Sequence, residues 1–128
     1  MTWAQLGRDN YAAAQLLLEA GQLRSSISRA YYAVYSVITH YFSSTRNVDF
    51  AYGGNNPSHA QMLALALNNL DTKTLSEAVR RDLRSQVRGM QRRRVIADYA
   101  PTHTVDKQDA RDQVRSAKYV LRSLGVDQ

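Results

Sequence analysis

In Ile27, Tyr31, Val34, Ile38 and Tyr41, large apolar side chains return at intervals of four, three, four and three residues. Only an α-helix turns such positions onto one face, because 3.6 residues complete its turn; a strand needs strict alternation. Tyrosine, valine and isoleucine individually favour strands. The period, held over this length, nevertheless decides for a buried helix from about Arg24 to Ser44.

The neighbouring segments follow the same rule. Thr2-Trp-Ala-Gln5 has capping-box spacing and opens a first helix that runs to Ala20, with Gly21 placed to end it. A loop is expected from Thr45 to Asn56, around Gly53-Gly54. Asn56-Pro57 then reads as a cap and first helical residue of a short third helix, reaching about Asn69. Thr74-Leu-Ser-Glu77 has capping-box spacing again and opens a long fourth helix to about Asp98, which Pro101 prevents from continuing much further. Asp106 caps a fifth helix that ends at Leu124, before Gly125. Short connections favour antiparallel neighbours. The expected fold is therefore all-α: an antiparallel four-helix bundle of the first, second, fourth and fifth helices, with the short third lying across an end or flank. Neither a repeat nor a linker divides the 128 residues, and one domain over 1–128 is expected.

Cysteine is absent, which excludes disulfides, thiolate nucleophiles and Cys-based zinc sites together. That fits a reducing compartment, and a cytoplasmic location is expected. MTWAQLGRDN shows no basic stretch before an apolar run, so no signal peptide is expected. Ser36, Thr39 and His40 interrupt the apolar stretch from Ala30 to Phe42, leaving it too short and polar for a membrane span. No histidine pair stands at i, i+4 with a carboxylate, so no metal is expected. Gly53-Gly54 lacks the residues of a phosphate loop, and no cofactor is expected.

The net charge of +6 has one source. Between Arg80 and Arg94 there are seven arginines (80, 81, 84, 88, 92, 93 and 94) and a single acid, Asp82; elsewhere ten basic and ten acidic side chains cancel. Concentrated guanidinium suits phosphate, with which it pairs bidentately; a solvated helix face is the plainer alternative. On the same helix Leu75, Val79, Leu83, Val87 and Met90 fall within a sector about 120° wide. Arg94 and Ala97 continue that apolar sector, while Arg81, Arg84 and Arg88 line the opposite side. A charge on an apolar face costs several kcal/mol unless it is paired or wet. Arg94 therefore either pairs with Asp98, four residues on, at a frayed helix end, or faces a groove or homodimer seam where it meets phosphate.

Two segments resemble proteins of the HEPN family. Ser28-Arg-Ala-Tyr-Tyr-Ala-Val-Tyr-Ser-Val37 is similar to the Ala-Tyr-Tyr-Ala stretch of its small bacterial members. Arg94-Val-Ile-Ala-Asp-Tyr-Ala-Pro101 is similar to their Arg-x-x-Ala-Asp-Tyr segment. The helix order fits from about Gly7 to Leu124. The resemblance implies a bundle that often dimerises through the helices bearing the Arg motif. It implies RNA or nucleotides as partners, and in many members a metal-independent endoribonuclease that acts as a toxin beside a nucleotidyltransferase antitoxin. Other members bind RNA or nucleotides without catalysis; a non-catalytic nucleotide- or RNA-binding bundle, or a protein adaptor, is therefore the alternative for this chain. In the ribonucleases, four to six residues after the Arg comes a His, which moves a proton during attack by the ribose 2′-hydroxyl while the Arg neutralises the phosphorane. Here Tyr99 stands where that His would be, and a phenol is a poor base at neutral pH.

The resemblance carries Arg94 over as a phosphate contact, and Asp98 and Tyr99 as matches to the motif; all three are candidate catalytic residues. His59, in the first turn of the third helix where the helix dipole keeps it neutral, is a further candidate proton acceptor, with His40 and His103 as other histidines the fold could bring in. Candidate phosphate or nucleic-acid contacts are Arg94, Arg88, Arg84, Arg81 and Arg29. Tyr31, Tyr35 and Tyr41 are expected in the core or at a dimer face. Tyr32, off the main seam and near Arg29, is expected to pack in the core, with base stacking as the alternative.

Overall fold

The computed structural model describes residues 1–45, 64 and 66–126. Four long helices carry it: α1 (Trp3–Glu19), α2 (Leu23–His40), α3 (Glu77–Tyr99) and α4 (Lys107–Ser123). Every regular element among the described residues is helical. α3 and α4 are the expected fourth and fifth helices. The expected third falls mostly outside the described residues, of which 64 and 66–68 are helical.

Most helix ends follow from local chemistry. The Thr2–Gln5 capping box forms, with both reciprocal bonds made, and Gly21 takes a φ of +76° just past α1. Asp106 and Asp109 form a second box at the start of α4, and Gly125 at φ +79° follows its end. The box expected at Thr74–Glu77 does not form. Asp71 draws the Thr74 hydroxyl to its carboxylate at 2.9 Å and takes the Lys73 N–H at 3.0 Å. Ser76 then caps α3 by accepting the Val79 N–H at 3.2 Å. A hydroxyl can donate to a carboxylate and still accept an N–H, so the box is excluded by the turn that Asp71 closes, its carbonyl taking the Leu75 N–H at 3.1 Å, which leaves Ser76 before the first helical residue. The second helix also departs from expectation, changing from α to π geometry at Tyr41–Thr45. Ser36, Thr39 and Ser43 each donate a hydroxyl to the carbonyl four residues back, at 2.7–2.8 Å. Such bonds satisfy polar groups inside an apolar helix and loosen its backbone ladder.

Contacts along the helices fix their directions. Trp3 meets Tyr35, a Gly7 Cβ would meet Val37, and the Ala14 carbonyl accepts from Ser26 at 2.7 Å, so α1 and α2 run antiparallel. Arg24 reaches Ala97 while Tyr32 reaches Arg94, so α2 and α3 are antiparallel as well. α2 packs against all three other helices. Its Tyr31, Val34, Val37 and Ile38 are buried with Val87 and Met90 of α3 and Val120 and Leu121 of α4, while Ile27 is buried with Ala97 of α3 and Ala110 of α4. Each such side chain contributes about 1.5–3 kcal/mol on leaving water. Buried Gln113 of α4 joins the layers by donating to the carbonyls of Ile27 (3.3 Å) and Met90 (3.1 Å). No helix among the described residues is long and apolar enough to cross a membrane.

Candidate functional site

The buried sector of α3 includes Leu83, Val87, Met90, Arg94 and Ala97, so the helical count places Arg94 inward, and its exposure is 7%. A guanidinium there needs partners, and α2 and the last turn of α3 supply them. Arg94 Nη2 donates to the Tyr32 and Tyr99 hydroxyls, each at 3.3 Å. Nε lies 3.0 Å from Asp98 Oδ2, an ion pair without hydrogen-bond alignment. The guanidinium carbon stands 5.3 Å from the Tyr31 ring centre and 5.1 Å from that of Tyr99, within cation–π range. Burial opposes the charge of Arg94, but the Tyr32 hydrogen bond and the nearby Tyr32, Tyr99 and Asp98 oxygens outweigh it and raise its pKa. The cation is thus kept charged inside the fold.

Above it opens a cleft of about 520 Å³ between α2 and α3. From α2 come Arg24, Ser28, Arg29 and Tyr32; from α3 come Arg94, Asp98 and Tyr99. The spacing 24, 28, 32 is one face of a helix. Ser28 donates to Asp98 Oδ2 at 3.4 Å, and Arg29 Nη1 donates to Asn10 Oδ1 of α1 at 3.1 Å. Arg24 is committed to the end of α3. Its Nη1 donates to the carbonyls of Ile96, Ala97 and Ala100 at 3.0–3.2 Å, and its Nη2 reaches the carbonyl of His103. A cation there satisfies the last carbonyls and opposes the helix dipole. Three guanidiniums and one carboxylate line the cleft, so its potential favours an anion.

Of the candidate residues, the fold brings Arg29, Arg94, Asp98 and Tyr99 together. Arg81, Arg84 and Arg88 are not among the lining residues. They lie on the far side of α3, Arg81 and Arg88 exposed and Arg84 half-buried. His59 falls outside the described residues. His40 is half-buried at the end of α2. The His103 side chain lines a separate hollow of about 60 Å³ with Ile27, Arg93 and Asp109. No described histidine lines the Arg94 cleft. Tyr31, Tyr35 and Tyr41 are buried, whereas Tyr32 is half-buried and packs against the core while walling the cleft. Arg24, Ser28 and Asn10 escaped the sequence reading; the Arg24–Ser28–Tyr32 spacing was the available signal for the first two.

Among curated proteins, no sequence match reaches significance. The HEPN domain model matches residues 1–126, the span that holds both the tyrosine-rich stretch of α2 and the Arg94 segment of α3. The chain belongs to the HEPN family.

Proposed function

We propose that this is an RNA- or nucleotide-directed HEPN protein that holds a phosphate group in the α2–α3 cleft, with Arg94 as the principal contact and Arg29 as the second. One observation carries the reading: a guanidinium that stays charged although buried, at the wall of a polar, cationic cleft. Its Nη2 and the flank of Nε are engaged, while Nη1 has no hydrogen bond to any described residue. Guanidinium pairs with phosphate through parallel N–H bonds, a geometry that single phenolic oxygens do not reproduce. Two clefts facing each other in a homodimer would form a composite site. Val95 (42% exposed) and Tyr99 (67% exposed) stand at i, i+4 on the outer face of α3 and suit such a seam.

A metal-independent endoribonuclease is the second reading. It is favoured by Asp98, a solvent-accessible carboxylate beside the phosphate-binding cation and thus an oxygen base near the site. A nucleotidyltransferase would then be its antitoxin partner. Labelled single-stranded RNA titrated at two salt concentrations tests the binding. We expect affinity to fall steeply with salt and to drop at least about tenfold in Arg94→Ala. Binding that neither change affects would overturn the phosphate reading. Incubation of the same RNA with EDTA separates the two readings: cyclic-phosphate ends that vanish in Asp98→Asn establish the nuclease, and intact RNA establishes a binding protein.

A further inference from the structure

Beside the Arg94 cleft lies a second hollow, of about 420 Å³, between α1 and α2. Both volumes lie in the range of small-molecule sites, about 300–1,000 Å³. The two share one wall, the turn of α2 that carries Ser28, Arg29 and Tyr32. Their linings differ in chemistry. The first is dominated by guanidinium and carboxylate groups. The second is walled by the rings of Trp3, Tyr32 and Tyr35, with Asn10 and Ser36 as neutral polar groups and Arg29 as its single charged one.

The aromatic wall is ordered by packing. Trp3 and Tyr35 meet edge to face with centroids 6.4 Å apart, and Tyr32 and Tyr35 repeat that arrangement at 6.4 Å. Asn10 is 9% exposed, and its carbonyl oxygen accepts from Arg29. That bond fixes which way the amide faces and leaves its NH₂ as a donor to a ring nitrogen or carbonyl. Arg29 thereby belongs to both hollows: it orients Asn10 in one and adds charge to the other.

Resting on the phosphate reading above, we infer that the α1–α2 hollow is a nucleobase subsite, so that one nucleotide unit spans both hollows, its phosphate at Arg94 and its base against Trp3 and Tyr35. A flat heterocycle with hydrogen-bonding edges, tethered a sugar's length from an anion, matches an aromatic pocket with one amide donor beside a cationic cleft. A free phosphate or a sugar phosphate would use the first hollow alone.

Trp3 is the sole tryptophan and serves as the reporter. The intact protein is titrated with each of the four nucleoside 5′-monophosphates, with ribose 5-phosphate and with the free nucleosides, following Trp3 fluorescence and heat of binding. We expect at least one nucleotide to quench Trp3 and to bind about tenfold more tightly than ribose 5-phosphate, since a stacked base adds an effect of that order. Trp3→Ala should remove that advantage and leave ribose 5-phosphate binding unchanged. Because the ligand comparison uses unmodified protein, it stands even if the variant folds poorly. Equal binding of nucleotides and ribose 5-phosphate, both lost in Arg94→Ala, would overturn the base subsite while the phosphate reading stands. Nucleotide binding that quenches Trp3, is no tighter than that of the free nucleoside and is indifferent to Arg94→Ala keeps the base subsite and overturns the phosphate reading. No binding by any of these ligands overturns both. Titration of a short single-stranded RNA distinguishes an RNA unit from a free nucleotide as the preferred source.

Discussion

Arg94 is the residue on which the candidate site depends, and its surroundings set what each substitution does. A lysine has the charge but a single ammonium, which cannot reach Tyr32, Tyr99 and a phosphate at once. Arg94→Lys should therefore recover little of the RNA affinity lost in Arg94→Ala, measured in the same titration. Tyr99 behaves differently. Its side chain is 67% exposed, and its hydroxyl accepts from the Nη2 that a ligand would also seek. Tyr99→Phe removes that competitor, so we expect affinity to rise about two- to fivefold with little change in thermal stability. A fall in affinity would instead make the hydroxyl part of the ligand contact.

At the scale of elements, the α1–α2 contact and the end of α3 position the cleft. A Cβ on Gly7 would lie 2.5 Å from Val37 Cγ2 and 3.3 Å from the Ala33 carbonyl oxygen. Val37 is fully buried and β-branched, so it has little room to yield. Gly7→Ala should cost about 1–3 kcal/mol in urea unfolding, and Val37→Ala in the same chain should recover part of that loss. Independent losses that simply add would show the two helices are not in register there. Arg24 does the corresponding work between α2 and α3, where it gathers three carbonyls at the end of α3. Arg24→Met keeps the stem but removes the cap. We expect faster amide exchange over 97–103 and a stability loss of about 1–3 kcal/mol. The ionic partner of Arg94 sits in that last turn, so fraying should also weaken RNA binding.

For the whole molecule, the buried tyrosines set the alkaline limit of stability. Burial pushes the Tyr31 hydroxyl well above its ordinary range, although nearby Arg94 acts in the opposite sense; burial raises Tyr11 and Tyr35 too. In the unfolded chain these phenols ionise near about pH 10, before they do so in the fold. Their contribution is therefore fully present below that pH and is lost as pH rises beyond it. Melting followed by circular dichroism should show no tyrosine-dependent change between about pH 7 and 9, then a fall above about pH 10 that Tyr31→Phe makes shallower. Assembly is tested at the same scale. If Val95 and Tyr99 form a homodimer seam, light scattering should give twice the chain mass. Val95→Asp should then give a monomer with weakened RNA affinity.

The local part of this organisation was legible in the chain itself. The three-four spacing from Ile27 to Tyr41, the Thr2 and Asp106 caps and the inward placement of Arg94 all follow from 100° per residue and from bonds made within one turn. Where two local motifs competed, the expectation failed: Thr74 matched a capping box, but it lies in a turn closed by Asp71, and Ser76 became the cap. The partners of Arg94 were a tertiary matter. Tyr32 lies 62 residues away in sequence, and Arg24 ends a helix more than 70 residues downstream. Periodicity names the face a residue occupies and says nothing of which helix lies opposite or in what register. Close packing, as where Gly7 admits Val37, sets that register. Packing between helices brought Arg29 of α2 into the Arg94 cleft, whereas the helical count alone had already set Arg81, Arg84 and Arg88 on the other side of α3.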